Sequence, residues 1–162
     1  MSKKSAGLLM YRAGADGLEV LLAHPGGPFW AKKDEGVWSI PKGEFEDAEE
    51  PLAAARREFE EETGMAPHGD FIPLTPLRQP NGKIVFAWAV AGDFDPASLK
   101  SNMFSLEWPP GSGRMREFPE VDRTAWLTVD AAVRKILPGQ APFLRELEEI
   151  LDRRSRHSRQ TG

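Results

Sequence analysis

Residues 43–65 read GEFEDAEEPLAAARREFEEETGM, and this stretch decides how the rest of the chain is interpreted. An α-helix turns by about 100° per residue, so apolar residues three or four positions apart share one face. That face is formed here by Leu52, Ala55, Phe59 and Thr63. The stretch therefore predicts an amphipathic helix with one buried side.

Glu58, Glu61 and Glu62 lie away from that apolar face, within an arc of roughly 100°. Like charges at these spacings destabilise an exposed helix by about 0.2–0.5 kcal/mol per pair. A hard divalent cation such as Mg²⁺, which prefers oxygen ligands, would neutralise them. Arg56 and Arg57 are the local alternative, and a purely solvated acidic face is the other.

The flanks of the stretch predict where the helix begins and ends. Gly43 is expected to form a tight turn, and Gly64 a left-handed stop. Asp47 and Glu50 have the spacing of a capping box, and Pro51 is compatible with a first helical turn.

The whole stretch resembles the Nudix box, whose pattern is G-x5-E-x7-R-E-U-x-E-E-x-G-U, where U is an apolar residue. Every fixed position of the pattern is matched; Phe59 and Met65 stand where aliphatic residues are commoner. The matching residues are Gly43, Glu49, Arg57, Glu58, Phe59, Glu61, Glu62, Gly64 and Met65.

The resemblance implies an α/β (α+β) Nudix fold, with a mixed β-sheet sandwiched between α-helices. It also implies a Mg²⁺- or Mn²⁺-dependent hydrolase that cleaves a nucleoside diphosphate linked to another group. In relatives, the ion is held by glutamates that correspond to Glu58, Glu61 and Glu62, with the carbonyl of Gly43 as a further ligand. Arg57 carries over as an orienting cation, paired with Glu49 or a catalytic glutamate.

The general base stays open between Glu61, Glu58 and a carboxylate from outside the box. Relatives often supply such an extra carboxylate, and Glu107, at the end of the predicted strand 103–108, is the first candidate. Glu120 and Asp122 are the second. A solvated surface carboxylate is the competing interpretation for each.

The long loop Pro25–Gly36 combines aromatic and basic residues. Trp30 could stack on a base while Lys32 and Lys33 contact phosphates, although Trp30 could equally serve to anchor the loop. His24, which precedes the loop, has no second histidine at ligand spacing and is expected to be structural.

Two further segments could contact phosphate. The sequence WSIPKG before the box resembles the branch of the family that cleaves diadenosine polyphosphates, which makes Lys42 a candidate phosphate contact. Gly111–Arg114 could present backbone N–H groups and the Arg114 guanidinium to an anion, or could be a flexible turn.

The remaining patterns predict one domain, residues 1–154, followed by a basic, disordered tail, 155–162. Apolar runs separated by turn residues predict strands, and apolar residues at helical spacing predict two more helices. The expected strands are 6–11, 18–24, 38–41, 71–79, 83–91, 103–108 and 125–129, and the expected helices are 130–137 and 143–151.

Composition limits the class of function. The chain has 162 residues, no cysteine and a net charge of −4, which argues against disulfides, thiolate chemistry and a nucleic-acid partner. No apolar run reaches the length of a signal peptide or a membrane span, so a cytoplasmic protein without a membrane partner is expected, as a monomer or homodimer.

The leading substrate hypothesis is a dinucleoside polyphosphate such as diadenosine tetraphosphate, or a nucleoside triphosphate. It rests on the lysine before Gly43 and the aromatic loop with its lysines. The alternatives are ADP-ribose, a nucleotide sugar, a triphosphorylated RNA 5′ end, or a Nudix domain that binds nucleotides without cleaving them.

Overall fold

The computed structural model describes residues 3–161, and these form a seven-stranded mixed sheet with helices on both faces, beside a separate two-stranded sheet. The strands are β1 Lys4–Gly14, β2 Gly17–Pro25, β3 Lys42–Glu44, β4 Ile72–Pro73, β5 Leu77–Arg78, β6 Ile84–Ala91, β7 Met103–Glu107, β8 Met115–Pro119 and β9 Val121–Thr128. The helices are α1 Pro51–Thr63, α2 Val129–Lys135 and α3 Ala141–Thr161.

Strand β1 lies at the centre of the large sheet, whose main order is β4-β6-β1-β2-β9. It runs parallel to β6 and antiparallel to both β2 and β3, while β5 pairs with β6. Strands β7 and β8 pair only with each other among the described strands, as a separate antiparallel hairpin.

Alternation along β1 supplies two cores, because successive side chains of a strand point to opposite faces. Leu8 and Met10 pack with Phe59 of α1, whereas Leu9 packs on the other side with Phe143 and Leu144 of α3. All six side chains are almost completely buried. The mixed sheet between helices that the resemblance implies is therefore confirmed.

Helix α1 buries the face predicted for it, since Ala55, Phe59 and Thr63 are buried and Leu52 is partly buried. Its C-terminal residue Gly64 has a φ of 87°, the left-handed conformation expected for a helix stop.

The predicted start of α1 is wrong in one respect. Pro51 is the first helical residue, as expected, but the cap is Glu50, whose carboxylate accepts hydrogen bonds from the N–H groups of Leu52 and Ala53. Asp47 instead forms an ion pair with Lys4, at 3.1 Å. The capping-box spacing failed because Glu50 already supplies acceptors to the first turn.

Several other predictions differ from the structure; among them, the predicted strand 71–79 forms only the short strands β4 and β5. The segment 38–41 makes only isolated bridges, at Trp38 and Ser39, and the paired strand β3 follows it. Strand β8 is not predicted from the sequence, since its residues MREFP do not alternate between apolar and polar and most of them are exposed. Helix α3 continues through Thr161, where a disordered tail was expected; the carboxylate of Asp152 and the guanidinium of Arg156 pair one turn apart, which favours helix.

Residue 162 of the expected tail lies outside the described part of the chain. Among the helices in residues 3–161, none combines the length and the apolar character needed to cross a bilayer.

Candidate active site

Gly43 brings the sheet and helix α1 into direct contact at Glu58. It lies in β3, paired with Ala6 of β1, and is not the turn predicted from the sequence. A Cβ atom added at Gly43 would lie 2.1 Å from a carboxylate oxygen of Glu58. Glycine is therefore required here because the Glu58 carboxylate occupies the space of a side chain, and Glu58 is only 8% exposed.

Arg57 pairs with three carboxylates around this contact, those of Glu49, Glu58 and Glu61. Its guanidinium donates a bidentate pair of hydrogen bonds to Glu49, at 2.8 and 2.9 Å. The remaining nitrogen, Nη1, donates to Glu58 at 2.8 Å and to Glu61 at 3.2 Å. These bonds raise the pKa of Arg57 and lower the pKa of Glu49. The orienting role expected for Arg57, with Glu49 as its partner, has matching geometry.

Among the described residues Glu62 has no arginine partner, in contrast to Glu58 and Glu61. Its carboxylate accepts the backbone N–H of Lys42 at 3.2 Å. Burial, followed by the negative charge of Glu58, raises the pKa of Glu62 to about 8. Burial likewise lowers the pKa of the Lys42 ammonium, which is further lowered by Lys83.

Glu120, from the connection between β8 and β9, is the outside carboxylate that the fold brings to this cluster. Its backbone N–H donates to the carbonyl of Asn102, whose own N–H donates to the carbonyl of Glu61, both at 2.8 Å. Partial burial and the charge of Glu61 raise the pKa of Glu120.

Glu107, the first candidate for that role, is placed elsewhere. It ends β7, and its carboxylate accepts a long hydrogen bond from the N–H of Gly113 in the β7–β8 turn, at 3.4 Å. Arg114 is exposed in the same turn between β7 and β8, and it lines neither cavity beside the carboxylates.

An inner cavity of about 270 Å³ opens beside the carboxylates, and its walls are mainly apolar. Residues that line it include Trp30, Val37, Ile40, Lys42, Glu62 and Glu120. Trp30 is 40% exposed, and the Lys33 ammonium lies 5.1 Å from its ring centroid. Of the predicted substrate contacts, Lys42 and Trp30 line this cavity with Lys33 beside Trp30, whereas Lys32 is exposed on the same loop.

His24 holds the loop Pro25–Gly36 in place. The sequence predicts a structural role for this histidine but does not indicate which segments it joins. The ring is fully buried; its Nε2 lies 2.6 Å from the carbonyl oxygen of Lys33, and its Nδ1 lies 2.8 Å from a carboxylate oxygen of Asp122. Trp38 packs edge-on against the imidazole, with ring centroids 5.1 Å apart. Asp122 thus contacts the loop anchor rather than the box glutamates.

The oxygen donors fit a hard divalent cation, since Glu58 lies against Gly43, Glu62 accepts the N–H of the preceding Lys42, and the two carboxylates repel each other when both are ionised. Across the described residues, however, no three carboxylate or imidazole groups converge as a ready-made metal site. The reason is visible in the ion pairs, because Arg57 holds Glu58 and Glu61. Ion binding would have to draw these carboxylates from Arg57.

Comparison with known proteins agrees with this geometry. A family model described as "NUDIX domain" matches residues 1–147. The chain belongs to the NUDIX family. This family generally uses divalent metal ions such as Mg²⁺.

One curated relative of this NUDIX chain is an octanoyltransferase of Myxococcus xanthus, 31% identical over 101 residues. Those residues are 62% of the NUDIX chain but 25% of the relative, so the chain spans about a quarter of that protein's length.

Two solved structures share the NUDIX fold. The NUDIX domain of Shewanella oneidensis NrtR complexed with ADP ribose has a TM-score of 0.65 at 14% identity, covering 93% of this chain and 89% of that one. A C. elegans Ap4A hydrolase binary complex has a TM-score of 0.64 at 22% identity, covering 91% and 98%. At such identities the likeness establishes the fold alone.

Proposed function

We propose that this NUDIX enzyme hydrolyses a phosphoanhydride bond of a dinucleoside polyphosphate, with diadenosine tetraphosphate as the leading substrate, or of a nucleoside triphosphate, using Mg²⁺ or Mn²⁺ in the cytoplasm. The observation that carries the proposal is the close Glu58–Glu62 pair, in which Glu58 has an arginine partner and Glu62 has none among the described residues. Arg57 serves Glu49, Glu58 and Glu61, and Glu62 keeps a pKa of about 8 beside Glu58. The raised pKa shows that a second negative charge beside Glu58 is unfavourable, and a cation that in turn holds phosphate oxygens would offset that repulsion.

Glu58, Glu61 and Glu62, with the Gly43 carbonyl, would hold the ion, which when bound neutralises phosphate charge and acidifies water. Glu120 is proposed as the general base in place of Glu107, because its carboxylate lines the inner cavity next to Glu62. It takes a proton from the attacking water, whose oxygen bonds to phosphorus while the bond to the bridging oxygen breaks. The bridging oxygen departs with the second phosphate product.

The inner cavity would hold one nucleoside of the substrate. Its volume of about 270 Å³ and its apolar walls suit a base and ribose, with Trp30 as the stacking side chain. Lys42 projects from the same cavity beside Glu62 and would contact a phosphate.

The test is phosphate or nucleoside monophosphate release from diadenosine tetraphosphate, ATP, deoxynucleoside triphosphates, ADP-ribose, a nucleotide sugar and a triphosphorylated RNA, each with Mg²⁺ and with Mn²⁺. Glu62→Gln should lower kcat/KM by about 100-fold or more, since it removes a proposed ion ligand. Glu149→Gln, an exposed helical glutamate of α3, is the matched control. Unchanged turnover in Glu62→Gln would refute the ion assignment.

A NUDIX domain that binds nucleotides without cleaving them is the second candidate. The observation that favours it is the closed state of the cluster, in which Arg57 pairs with three carboxylates. The two functions separate in one experiment: nucleotide binding by calorimetry with no turnover of any compound in the panel would select the binding function.

A further inference from the structure

The carboxylate cluster borders a second cavity, whose lining residues differ from those of the inner one. This outer cavity, of about 470 Å³, is lined by residues that include Arg56, Glu61, Ala66, Pro67 and Asn102. Glu61 lines the outer cavity, while its neighbour in the chain, Glu62, lines the inner one. The proposed reaction centre therefore lies between two cavities.

The backbone of Asn102 connects residues that line the two cavities. Its backbone joins the carbonyl of Glu61 to the N–H of Glu120, so it fixes the end of α1 against the wall of the inner cavity. Its side-chain amide projects from the exposed segment before β7 and makes no hydrogen bond to any described residue. That amide is available to a ligand in the outer cavity.

Arg56 supplies the charge on this side. Its guanidinium carbon lies 5.1 Å from the centroid of the Phe71 ring, a cation–π contact that restricts the side chain. Within the described residues its N–H groups have no carboxylate or carbonyl partner, in contrast to those of Arg57. An arginine positioned by an aromatic ring, with its donors unused, is suited to bidentate binding of a phosphate.

We infer that the outer cavity binds the second nucleotide of a two-ended substrate, with Arg56 on its phosphate and Asn102 and Pro67 against its base or ribose. This inference rests on the proposed function and makes it more specific. One nucleoside fills the inner cavity, the polyphosphate passes the carboxylates, and the other nucleoside enters the outer cavity. A mononucleotide uses only the inner cavity.

Arg56→Ala, which removes the phosphate contact, and Ala66→Trp, which fills the outer cavity, test the inference. Both should lower kcat/KM for diadenosine tetraphosphate by about tenfold, the value of one charge-assisted contact, through a higher KM. The kcat/KM for adenosine 5′-tetraphosphate, which has the same number of phosphates and one nucleoside, should stay within about twofold in Ala66→Trp. Arg153→Ala, an exposed helical arginine that lines neither cavity, is the control. An equal loss for both substrates in Ala66→Trp, or no loss for either in both variants, would overturn the inference.

Binding isotherms separate this inference from the proposed function. With Ca²⁺ in place of the catalytic ion, wild-type protein should bind diadenosine tetraphosphate more tightly than adenosine 5′-tetraphosphate, and Ala66→Trp should lose the difference. If that result appears without turnover by the wild type, the two-cavity inference holds and the hydrolase proposal fails. If the wild type hydrolyses both substrates but binds them equally, the outer-cavity inference fails and the hydrolase proposal stands.

Discussion

At Gly43, the absence of a side chain decides where a charged group can sit. The Glu58 carboxylate lies where a Cβ would be, so any other residue at this position forces it away from the sheet. The sequence motif specifies a glycine here, but a pattern of letters does not tell whether the glycine makes a turn or admits a neighbouring group. The contact with Glu58 comes from the packing of α1 on β3 and could not be predicted locally.

Gly43→Ala should lower kcat/KM by about 100-fold, because displacing a reacting group by about 1 Å is enough for such a loss. Magnesium affinity, measured by calorimetry, should fall with it. Gly139→Ala is the control, since a Cβ there meets no atom within 4 Å. Full activity in Gly43→Ala would mean that the Glu58 carboxylate need not occupy this space.

His24 shows a second residue whose function depends on contacts distant in sequence. Its two ring nitrogens join the Lys33 carbonyl and Asp122, which lie on separate segments of the chain. His24→Gln leaves one of these acceptors unpaired, and a buried unpaired polar group costs about 1–3 kcal/mol. We expect Tm to fall and the KM for nucleotides to rise, since the loop with Trp30 loses its anchor.

The kinetic split distinguishes loop positioning from general destabilisation. In His24→Gln, KM should rise by roughly tenfold while kcat, measured well below the Tm, changes by less than about threefold. His157→Gln on α3 is the matched control. A fall in kcat with constant KM would contradict a role in holding the substrate loop.

Among the elements, helix α1 was the easiest to predict and the hairpin β7–β8 the hardest. The apolar face, the proline and the terminal glycine of α1 are local signals within one short stretch. Strand β8 pairs only with β7 among the described strands, and its apolar residues do not alternate with polar ones, so no strand pattern reveals it. The same hairpin decides which outside carboxylate reaches the site, because it carries Glu107 outward and returns the chain to Glu120.

Because Glu50 caps α1, replacing Glu50 should destabilise the protein more than replacing Asp47. Glu50→Ala removes the acceptor for two N–H groups and should cost about 0.5–2 kcal/mol, or roughly 2–4 °C in Tm per kcal/mol. Asp47→Ala removes only an exposed ion pair, which contributes little. Thermal denaturation of both variants checks this, and a larger loss in Asp47→Ala would restore the capping box expected from the sequence.

For the whole molecule, the carboxylate cluster should make stability of the metal-free protein depend on pH. Glu62 has a folded-state pKa of about 8 against an ordinary value of 4.5, and the pKa values of Glu58 and Glu120 are also raised. Between the ordinary pKa of 4.5 and the folded-state pKa of about 8, the Glu62 carboxyl group is ionised in the unfolded chain but protonated in the folded protein. The free energy of unfolding therefore falls as pH rises from about 5 to 8. Glu49, whose pKa is lowered, acts in the opposite direction and only at more acidic pH.

Denaturant titrations between pH 5 and pH 8 in EDTA should show this fall, and Glu62→Gln should remove much of it. Added Mg²⁺ should reverse the trend in the wild type, because an ion binds the ionised cluster and stabilises the folded state. A metal-free stability that rises through this pH range would mean that folding does not raise the pKa values of these carboxyl groups.

The pairing of β1 with β6 and of β2 with β9 has a consequence for biosynthesis. Strand β1 pairs with β6, at residues 84–91, and β2 pairs with β9, at residues 121–128, so each early strand has a partner that is synthesised much later. Contacts of such long sequence separation form slowly and expose unpaired strand edges in the meantime. On the ribosome, a nascent chain that ends just before residue 120 therefore already contains the whole box but still lacks Glu120 and the strand β9 that pairs with β2, so the domain cannot complete its carboxylate cluster until these residues have been synthesised.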